Sequence, residues 1–298
     1  MDYDCLIIGG GPAGLAAATY LGRFCRKIVL VDAGNSRARA IPESHNYPGF
    51  EDGISGPKLL NILHQQARQY GAEIVSGKVI SLARNGAGFR ASVDGRRIDA
   101  ARILMATGLK DKAPNMPGLR EAVAHTSVRY CPVCDAYEAM DKNIAVFGSL
   151  EDAEPKAIFL RTYSRSVTVL PIDVCKMDAK AIARLKQAGI ACAPSAVADF
   201  RPVSAGIEVE LTTGAHLYFD VVYPTLGCEV HSELAASLGA RCNEVGCLVV
   251  DDKQHTTAAG IFAAGDVVSD LHQIAVAAGH AGIAATAIHR SLPPNFRA

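Results

Sequence analysis

The 298-residue sequence has no excess of charge of either sign and no long apolar run. Its 30 basic residues balance its 30 acidic residues, so composition gives no electrostatic reason to expect binding to nucleic acid or to an anionic membrane. The apolar runs are short and broken by glycine, which argues against a membrane span. No basic segment or small-residue cleavage site precedes the first apolar run, and we therefore expect a cytoplasmic protein.

The nine cysteines lack the regular spacing of a disulfide framework, and their number is odd. This pattern is typical of reduced cytosolic thiols with one special pair. The special pair lies in RYCPVCDAYE, residues 129–138, where Cys131 and Cys134 are three positions apart. The other seven are expected to be buried or incidental thiols: Cys5, Cys25, Cys175, Cys192, Cys228, Cys242 and Cys247.

The cysteine pair has three possible interpretations. A structural zinc site needs four cysteines or a mixed cysteine and histidine set, and the sequence has no second C-x-x-C and no nearby histidine pair. An incidental pair is also possible. Dithiol–disulfide redox chemistry fits best, because two intervening residues allow the sulfur atoms to meet. Asp135 follows the second cysteine and could pass a proton to a leaving thiolate, or simply cap a helix.

The order of patterns along the chain predicts an α/β protein with two Rossmann-like nucleotide-binding domains. CLIIGGGPAGLAAATYLGR and KIVLVD indicate a strand, a glycine turn, a helix and a parallel strand, and KNIAVFGSLEDAEPKAIFL with SVTVLPID repeats this order. We expect residues 1–112 and 229–298 to form a discontinuous domain, with residues 113–228 inserted as a second domain that carries the cysteine pair. Asp94-Gly95 predicts a hairpin, LYFDVVYPTLG one strand, and residues 247–267 two more.

The first glycine turn has the pattern G-x-G-x-x-G at Gly9, Gly11 and Gly14. It follows a strand and opens a helix, and the next strand ends at Asp32, whose carboxylate could bind a ribose diol. This context predicts that the chain binds a dinucleotide, either NAD or FAD. The later GIFAAGDV favours FAD, because Asp266 at the end of a strand suits the ribityl and pyrophosphate region; it could also be an N-cap.

Together these residues resemble the low-molecular-weight thioredoxin reductase family over nearly the whole chain. The motifs in order are GGGPAG at 9–14, HNYPGF at 45–50, MATG at 105–108, YCPVCD at 130–135, FAAGDV at 262–267 and HQIAVAAG at 272–279. The resemblance implies an FAD-dependent homodimer in which one domain rotates against the other during the catalytic cycle.

The resemblance also implies roles for individual residues. Cys134 would contact the flavin, Cys131 would exchange with a partner disulfide, and Asp135 would be the acid. The other residues implied to hold FAD are Pro12, Ala13, Asn46, Pro48, Thr107, Gly108, Gln273 and Ile274.

The second glycine turn departs from the family pattern for NADPH. In FGSLEDA, residues 147–153, Leu150 occupies the position where the backbone should approach a pyrophosphate, and Glu151 and Asp152 add negative charge. The strand that follows ends at Asp173 and has no arginine for a 2′-phosphate. Like charges at several ångströms would weaken binding by on the order of a few kcal/mol. We expect poor use of NADPH, whereas Asp173 alone would suit the free ribose diol of NADH, and another backbone path could also hold a nucleotide.

Three functions therefore remain open at this point. The first is a flavin disulfide oxidoreductase similar to the ferredoxin-dependent flavin thioredoxin reductases, acting on a thioredoxin-like protein or a small disulfide. A variation of it places a second FAD in the altered site. The second is a dithiol oxidase that passes electrons to oxygen. The third is an NAD(P)H-linked reductase with an atypical pocket, and a non-enzymatic flavin sensor is a more distant alternative.

Three residues outside these motifs could lie near a flavin. The tail SLPPNFRA could place Phe296 over the flavin ring of the same chain or of the dimer mate, or it could be frayed. His45 and His272 flank flavin motifs and are either proton carriers or structural residues.

Overall fold

The N-terminal βαβ unit forms as the sequence predicts in the computed structural model, which describes residues 2–174, 178–268 and 271–297. Strand β1 spans Tyr3–Ile8, helix α1 spans Pro12–Arg23 and strand β2 spans Ile28–Asp32. The two strands are parallel, with Cys5 opposite Ile28 and Ile8 opposite Val31. Their continuous apolar runs are buried because both faces of the sheet are covered.

This unit belongs to a seven-stranded sheet that contains residues from both ends of the chain. Helix α2, Gly56–Gln69, leads into strands β3 (Glu73–Ser76), β4 (Val79–Asn85), β5 (Gly88–Val93) and β6 (Arg96–Met105). The strand order is β3-β2-β1-β6-β5-β4. The predicted hairpin joins β5 to β6, and Asp94 and Gly95 both have positive φ, as a two-residue hairpin turn of this kind requires.

A short two-stranded sheet lies where the chain leaves this region and where it returns. Strand β7, Leu109–Asp111, is followed by helices α3 (Leu119–Ala124) and α4 (Pro132–Asp135). Much later in the chain, strand β15, Cys228–Val230, pairs antiparallel with β7. The two crossing segments therefore run side by side, and the predicted irregular stretch Lys112–Gly118 follows immediately after β7.

The second βαβ unit also forms as predicted, in a separate four-stranded sheet. Its elements are β8 (Ile144–Gly148), α5 (Leu150–Leu160), β9 (Val167–Pro171), α6 (Ala179–Gln187) and β10 (Ala191–Cys192). They are followed by β11 (Val197–Val203), β12 (Gly206–Leu211), β13 (His216–Phe219) and β14 (Val221–Thr225). The order is β10-β9-β8-β14, and β11, β12 and β13 form a three-stranded sheet of their own.

The prediction of one strand over LYFDVVYPTLG is wrong. The chain changes sheets at Asp220, so that β13 pairs antiparallel with β12 whereas β14 pairs parallel with β8. The reason is a reciprocal pair of hydrogen bonds between Asp220 and Asn143. The Asn143 N–H donates to Asp220 Oδ2 at 2.7 Å, and the Asp220 N–H donates to the Asn143 carbonyl at 2.9 Å. This pair fixes the corner between the two sheets.

The C-terminal part of the chain returns to the large sheet. Helix α7 spans Glu233–Ala236, strand β16 spans Ile261–Ala263 and pairs parallel with β6, and helix α8 spans Ile274–Arg290. Of the two strands predicted between residues 247 and 267, only β16 forms. Residues 251–257 instead make a turn in which Asp251 Oδ1 accepts hydrogen bonds from the N–H groups of Lys253 and His255.

Two apolar layers cover the large sheet, one on each face. Helices α1 and α8 pack together over one face through alanines such as Ala17, Ala18, Ala281 and Ala284, which are all fully buried. In the apolar layer on the other face, buried side chains of β1, β2 and β6 pack with those of β4 and β5 and with the segment around Leu248. Small side chains allow two helices to approach closely, and this packing fixes the N-termini of α1 and α8 at the same edge of the sheet. Within the described residues, no helix is long and apolar enough to cross a membrane.

Candidate active site

The glycine-rich turn joins β1 to α1 and presents the start of that helix without a side-chain cap in the described residues. Gly9 has a φ of +118°, and a Cβ there would come within 2.2 Å of the Ala106 carbonyl oxygen. A Cβ at Gly14 would come within 1.9 Å of the Gly9 carbonyl oxygen, so both positions require glycine. Gly11 is the N-cap and Pro12 begins the helix. Uncapped N–H groups at a helix N-terminus fit a dinucleotide pyrophosphate.

Asp32 lies beside this turn at the end of β2. The Gly34 N–H donates to its Oδ1 at 2.8 Å, which orients the carboxylate. The Gly9 N–H donates to the neighbouring Val31 carbonyl at 2.9 Å, which ties the end of β2 to the turn. The carboxylate is therefore positioned at the same sheet edge as the glycine turn, where a ribose diol would need an acceptor.

Asp266 approaches the same turn from the other end of the chain. A Cβ at Gly265 would lie 2.9 Å from the Ala13 Cβ, so the small residues allow the β16–α8 connection to touch the start of α1. Burial raises the pKa of Asp266, and the nearby Arg37 guanidinium opposes that rise. Ala13 and Asp266, both predicted as cofactor residues, are thus brought together.

Arg37 is a functional candidate that the sequence analysis did not identify. Its Nε and Nη2 donate to the two carboxylate oxygens of Asp111 at 2.6 and 3.0 Å, and its Nη1 lies 3.4 Å from Asp266 Oδ2. Burial would lower the pKa of Arg37, but the two carboxylates raise it overall. The guanidinium therefore links the crossing strand β7 to the predicted cofactor residue Asp266. In the sequence, one arginine in SRAR gave no signal that distinguished it from Arg39.

Thr107 and Gly108 stabilise the point where the chain crosses between its two parts. The Thr107 hydroxyl donates to the His231 carbonyl at 2.5 Å, and the His231 N–H donates to the Gly108 carbonyl at 3.0 Å. Gly108 has positive φ, which allows the chain to turn into β7. These contacts place both predicted residues next to the C-terminal end of β6, close to the glycine turn.

A chain of hydrogen bonds joins the HNYPGF loop to the start of α8. The Ser44 hydroxyl donates to Asn46 Oδ1 at 3.1 Å, and Asn46 Nδ2 donates to Gln273 Oε1 at 2.9 Å. Residues 45–51, which include Pro48, line an open cleft of about 630 Å³. The structure therefore brings together the predicted residues Asn46 and Gln273 from positions 227 residues apart in the sequence.

Cys131 and Cys134 form a disulfide, and Gln273 contacts both sulfur atoms. The structure does not favour the zinc interpretation, because both sulfurs are committed to the disulfide. Gln273 Nε2 donates to Cys134 Sγ at 3.3 Å and to Cys131 Sγ at 3.4 Å. Gln273 is the N-cap of α8 and Ile274 is its first residue. The redox pair of the inserted segment thus lies against the element that the sequence predicts to contact a flavin.

Asp135 is held in a half-buried position at the end of α4, with 28% of its side chain exposed. The Tyr223 hydroxyl donates a hydrogen bond to Asp135 Oδ1 at 2.9 Å, and Arg129 Nη1 lies 3.7 Å from Asp135 Oδ2. Burial raises the pKa of Asp135 to about 6, although Arg129 and Tyr223 both favour the charged form. A carboxyl group with this pKa can exchange a proton near neutral pH. The sequence gave no signal for Tyr223, which comes from β14.

The second glycine turn satisfies its own helix N-terminus. Ser149 caps α5 by accepting from the Asp152 N–H at 3.2 Å, and its hydroxyl donates to Asp152 Oδ2 at 2.7 Å. Leu150 is buried, and Glu151 and Asp152 are exposed in the first turn. Asp173 is exposed after β9. The Asp152 N–H, which a phosphate at this helix start would use, is therefore already occupied by Ser149. The same first turn carries two acidic residues, Glu151 and Asp152.

The remaining sequence candidates occupy different environments. Phe296 is 91% exposed, and the adjacent Asn295 donates to the carbonyls of Phe24 and Cys25 at 2.9 and 3.1 Å. The tail therefore lies at the C-terminal end of α1, opposite to the glycine turn, which does not favour stacking of Phe296 on a flavin of its own chain. Stacking on the flavin of a dimer mate stays a prediction. His45 lies 3.5 Å from Glu43, and His272 precedes the Gln273 contact.

The other cysteines differ in exposure. Cys5 and Cys247 are buried, Cys192 and Cys228 are half-buried, and Cys25 and Cys242 are exposed; Cys175 is outside the described residues. Burial raises the pKa of Cys5, Cys192 and Cys228, which disfavours the reactive thiolate. The prediction that these thiols are buried or incidental is consistent with this chemistry for these three.

Comparisons with known proteins place this site in context. A family model described as pyridine nucleotide-disulphide oxidoreductase matches residues 3–282. Thioredoxin reductase from Aquifex aeolicus is 32% identical over 97% of this chain and 93% of its own length. The crystal structure of thioredoxin reductase from Streptococcus pyogenes superimposes with a TM-score of 0.89 at 27% identity, covering 97% of each chain.

The overall superposition is closer for some solved structures than for others. Thioredoxin reductase from Lactococcus lactis, in a structure described as the FR conformation, has a TM-score of 0.63. Its identity is 29%, and the comparison covers 97% of this chain and 98% of that one. At similar identity and coverage, this score is much lower than the 0.89 found for the Streptococcus pyogenes structure.

Proposed function

The chain belongs to the pyridine nucleotide-disulphide oxidoreductase family and is a thioredoxin-reductase-like flavoprotein oxidoreductase, and from this premise we propose that it exchanges electrons between FAD and a partner disulfide without efficient use of NADPH. The observation that carries this proposal is the contact of the Cys131–Cys134 disulfide with Gln273, at the start of α8. That contact brings the redox pair to the same sheet edge as the glycine turn.

The residues at this edge fit a flavin dinucleotide. We propose that the uncapped start of α1 holds the pyrophosphate, that Asp32 binds the ribose diol, and that Asp266 with Arg37 holds the ribityl region. Bound FAD would supply two-electron exchange with the sulfur pair. We further propose residues 1–112 and 229–298 as the FAD-binding domain and residues 113–228 as the domain that carries the redox pair.

The paired cysteines would perform the exchange with the partner. The Cys131 thiolate attacks one sulfur of the partner disulfide and forms a mixed disulfide, and the other partner sulfur leaves as a thiolate. Asp135 donates a proton to that thiolate. The Cys134 thiolate then attacks the Cys131 sulfur, which re-forms the Cys131–Cys134 disulfide and releases the second partner sulfur as a thiolate that takes its proton from water. Two electrons pass from the enzyme dithiol to the partner in this sequence.

The second glycine turn supports the proposal that the protein uses NADPH poorly. Ser149 already satisfies the Asp152 N–H, and Glu151 and Asp152 add negative charge to the first turn of α5. The strand end at Asp173 supplies no positive charge for a 2′-phosphate, whereas a carboxylate there would suit the ribose of NADH. We therefore propose an alternative electron donor, with a ferredoxin-type protein and NADH as the candidates to compare.

The partner and the assembly follow from the same premise. Relatives that match almost the whole chain are thioredoxin reductases, so we propose a thioredoxin-like protein as the disulfide partner and a homodimer as the active assembly. From the family resemblance we further propose that one domain rotates against the other and exposes Cys131 to that partner. Sedimentation velocity of the purified protein measures the assembly directly.

An anaerobic donor titration tests the proposal. Purified protein is mixed in turn with NADPH, NADH, reduced ferredoxin and a small dithiol, and the flavin absorbance near ~450 nm is followed. The proposal expects slow reduction by NADPH and fast reduction by one other donor, followed by transfer to oxidised thioredoxin. Fast reduction by NADPH would contradict the proposal and identify an NADPH-linked reductase with an atypical pocket. Rapid oxygen-dependent turnover with dithiols alone would instead identify a dithiol oxidase.

A further inference from the structure

Arg129 and Tyr223 contact the same residue, Asp135, from two different parts of the fold. Val128 forms a parallel bridge with Val222, and the Arg129 N–H donates to the Val222 carbonyl at 3.0 Å. This pairing aligns the segment before the cysteine pair with β14. As a result, the side chains of Arg129 and Tyr223 both reach the end of α4.

Each of the two side chains binds both the backbone and the carboxyl group of Asp135. Arg129 Nη1 donates to the Asp135 carbonyl at 2.9 Å and lies 3.7 Å from Oδ2. The Tyr223 hydroxyl lies 2.9 Å from Oδ1 and 3.4 Å from the same carbonyl. Such paired contacts fix the position of the residue and the direction of its carboxyl group.

Both contacting side chains are themselves strongly buried. Tyr223 is fully buried, and the Arg129 side chain is 6% exposed, with its Nε donating to the Thr126 carbonyl at 3.0 Å. A buried cation is costly unless it is paired, so Arg129 needs the Asp135 carboxylate. Burial and the nearby Asp135 charge raise the pKa of Tyr223, which keeps the hydroxyl protonated and donating.

We propose that Arg129 and Tyr223 are positioning residues for disulfide exchange, which hold the Asp135 carboxyl group beside the cysteine pair and control the release of its proton. The inference rests on the proposed function, in which Asp135 protonates the leaving thiolate. Burial acts against the charged carboxylate, and Glu138 adds a like charge, whereas Arg129 and Tyr223 stabilise it. The balance of these four contributions determines whether the proton is available near neutral pH.

The test measures the ionisation of Asp135 directly in the oxidised holoenzyme. Protein labelled with [4-13C]aspartate is titrated by NMR, and the Asp135 signal is identified by its loss in Asp135→Asn. Tyr223→Phe removes only the hydroxyl and is expected to raise the titration midpoint by about one pH unit. Arg129→Gln is expected to raise it by about one unit or more, and Arg129→Lys to restore part of the shift. Tyr218→Phe, in which an exposed tyrosine loses a bond to the Ala205 carbonyl, is the matched control.

A second readout separates positioning from a purely structural role. The pH profile of partner-disulfide reduction by Tyr223→Phe should move in the alkaline direction by the same amount as the NMR midpoint. Unchanged midpoints in folded Tyr223→Phe and Arg129→Gln would overturn the inference, as would shifted midpoints with an unmoved profile in an active enzyme. Because the NMR titration needs no electron donor, an inactive wild-type protein with shifted variants would count against the proposed function alone.

Discussion

The side-chain amide of Gln273 lies 3.3 Å from Cys134 Sγ and 3.4 Å from Cys131 Sγ. The amide oxygen of the same side chain accepts from Asn46, and Asn46 accepts from Ser44. In this series of hydrogen bonds, Ser44, Asn46 and Gln273 each donate in the direction of the sulfur pair. A donor aimed at sulfur stabilises a thiolate more than a disulfide, because hydrogen bonds to charged acceptors are stronger.

Replacing Gln273 should therefore make the reduced cysteine pair less reactive. In Gln273→Leu, loss of one hydrogen bond worth about 1 kcal/mol predicts roughly fivefold slower alkylation by iodoacetamide at pH 7. The measurement is the rate of alkylation of the reduced protein, followed by mass spectrometry of the peptide that contains both cysteines. Gln187→Leu, at an exposed position near the end of α6, is the control and should react at the wild-type rate. Equal rates in both variants would contradict the role given to Gln273.

Arg37 should be needed for flavin retention because it neutralises two carboxylates. In Arg37→Met, Asp111 and Asp266 lose their shared cation, and like charges then face each other at the cofactor edge. We expect a large loss of bound FAD and a decrease of about 2 kcal/mol in the free energy of unfolding. Flavin content per chain and urea unfolding measure the two effects. Arg39→Met, in the same turn but exposed, should retain both values, and a full flavin content in Arg37→Met would refute the assignment.

Removing the two carboxylates of the second glycine turn should improve nucleotide binding. Glu151→Gln with Asp152→Asn eliminates two negative charges from the first turn of α5 while it keeps the side-chain shapes. Because both groups are exposed and screened, we expect about tenfold tighter binding of NADH, measured as Kd by fluorescence. Glu121→Gln, an exposed acid in α3, should leave the Kd unchanged. If the double variant binds NADH no more tightly than wild type does, then the nucleotide does not approach this turn.

Asp135 predicts a specific dependence of stability on pH. Its pKa is raised from 3.8 to about 6 by burial, so the folded state binds this proton more tightly than the unfolded state does. The stabilising contribution of the proton is present below about pH 4 and is lost as the pH rises through about 6. Asp135→Asn should remove this dependence, and the difference from wild type should change by about 2 kcal/mol over that range. Urea unfolding at several pH values measures it; parallel curves would contradict the raised pKa.

The sequence predicted the parts of the fold in which local pattern and packing agree. The GGGPAG turn and the hairpin at Asp94-Gly95 formed as expected, because their backbone conformations depend on residues at the turn itself. The strand boundary at Asp220 could not be predicted, because it depends on a hydrogen bond to Asn143, 77 residues earlier. The family resemblance implied that Asn46 and Gln273 each lie beside the flavin but did not imply their hydrogen bond to each other. No local pattern marked Arg37, Arg129 or Tyr223.

These three residues share one physical property. Each acts through a carboxylate that is distant in sequence or lies on another element, so its own neighbours carry no sign of the role. Arg37 reaches Asp111 and Asp266, and Tyr223 reaches Asp135 across 88 residues. Such pairs form only after the sheets have assembled.

The most direct test of the account is the number of electrons that the purified protein accepts per flavin. In an anaerobic titration with dithionite, a flavin that shares electrons with the Cys131–Cys134 disulfide predicts about four reducing equivalents per FAD, and about two in Cys134→Ser. A wild-type protein that takes up only about two, or one that is colourless and does not bind FAD, would contradict the account.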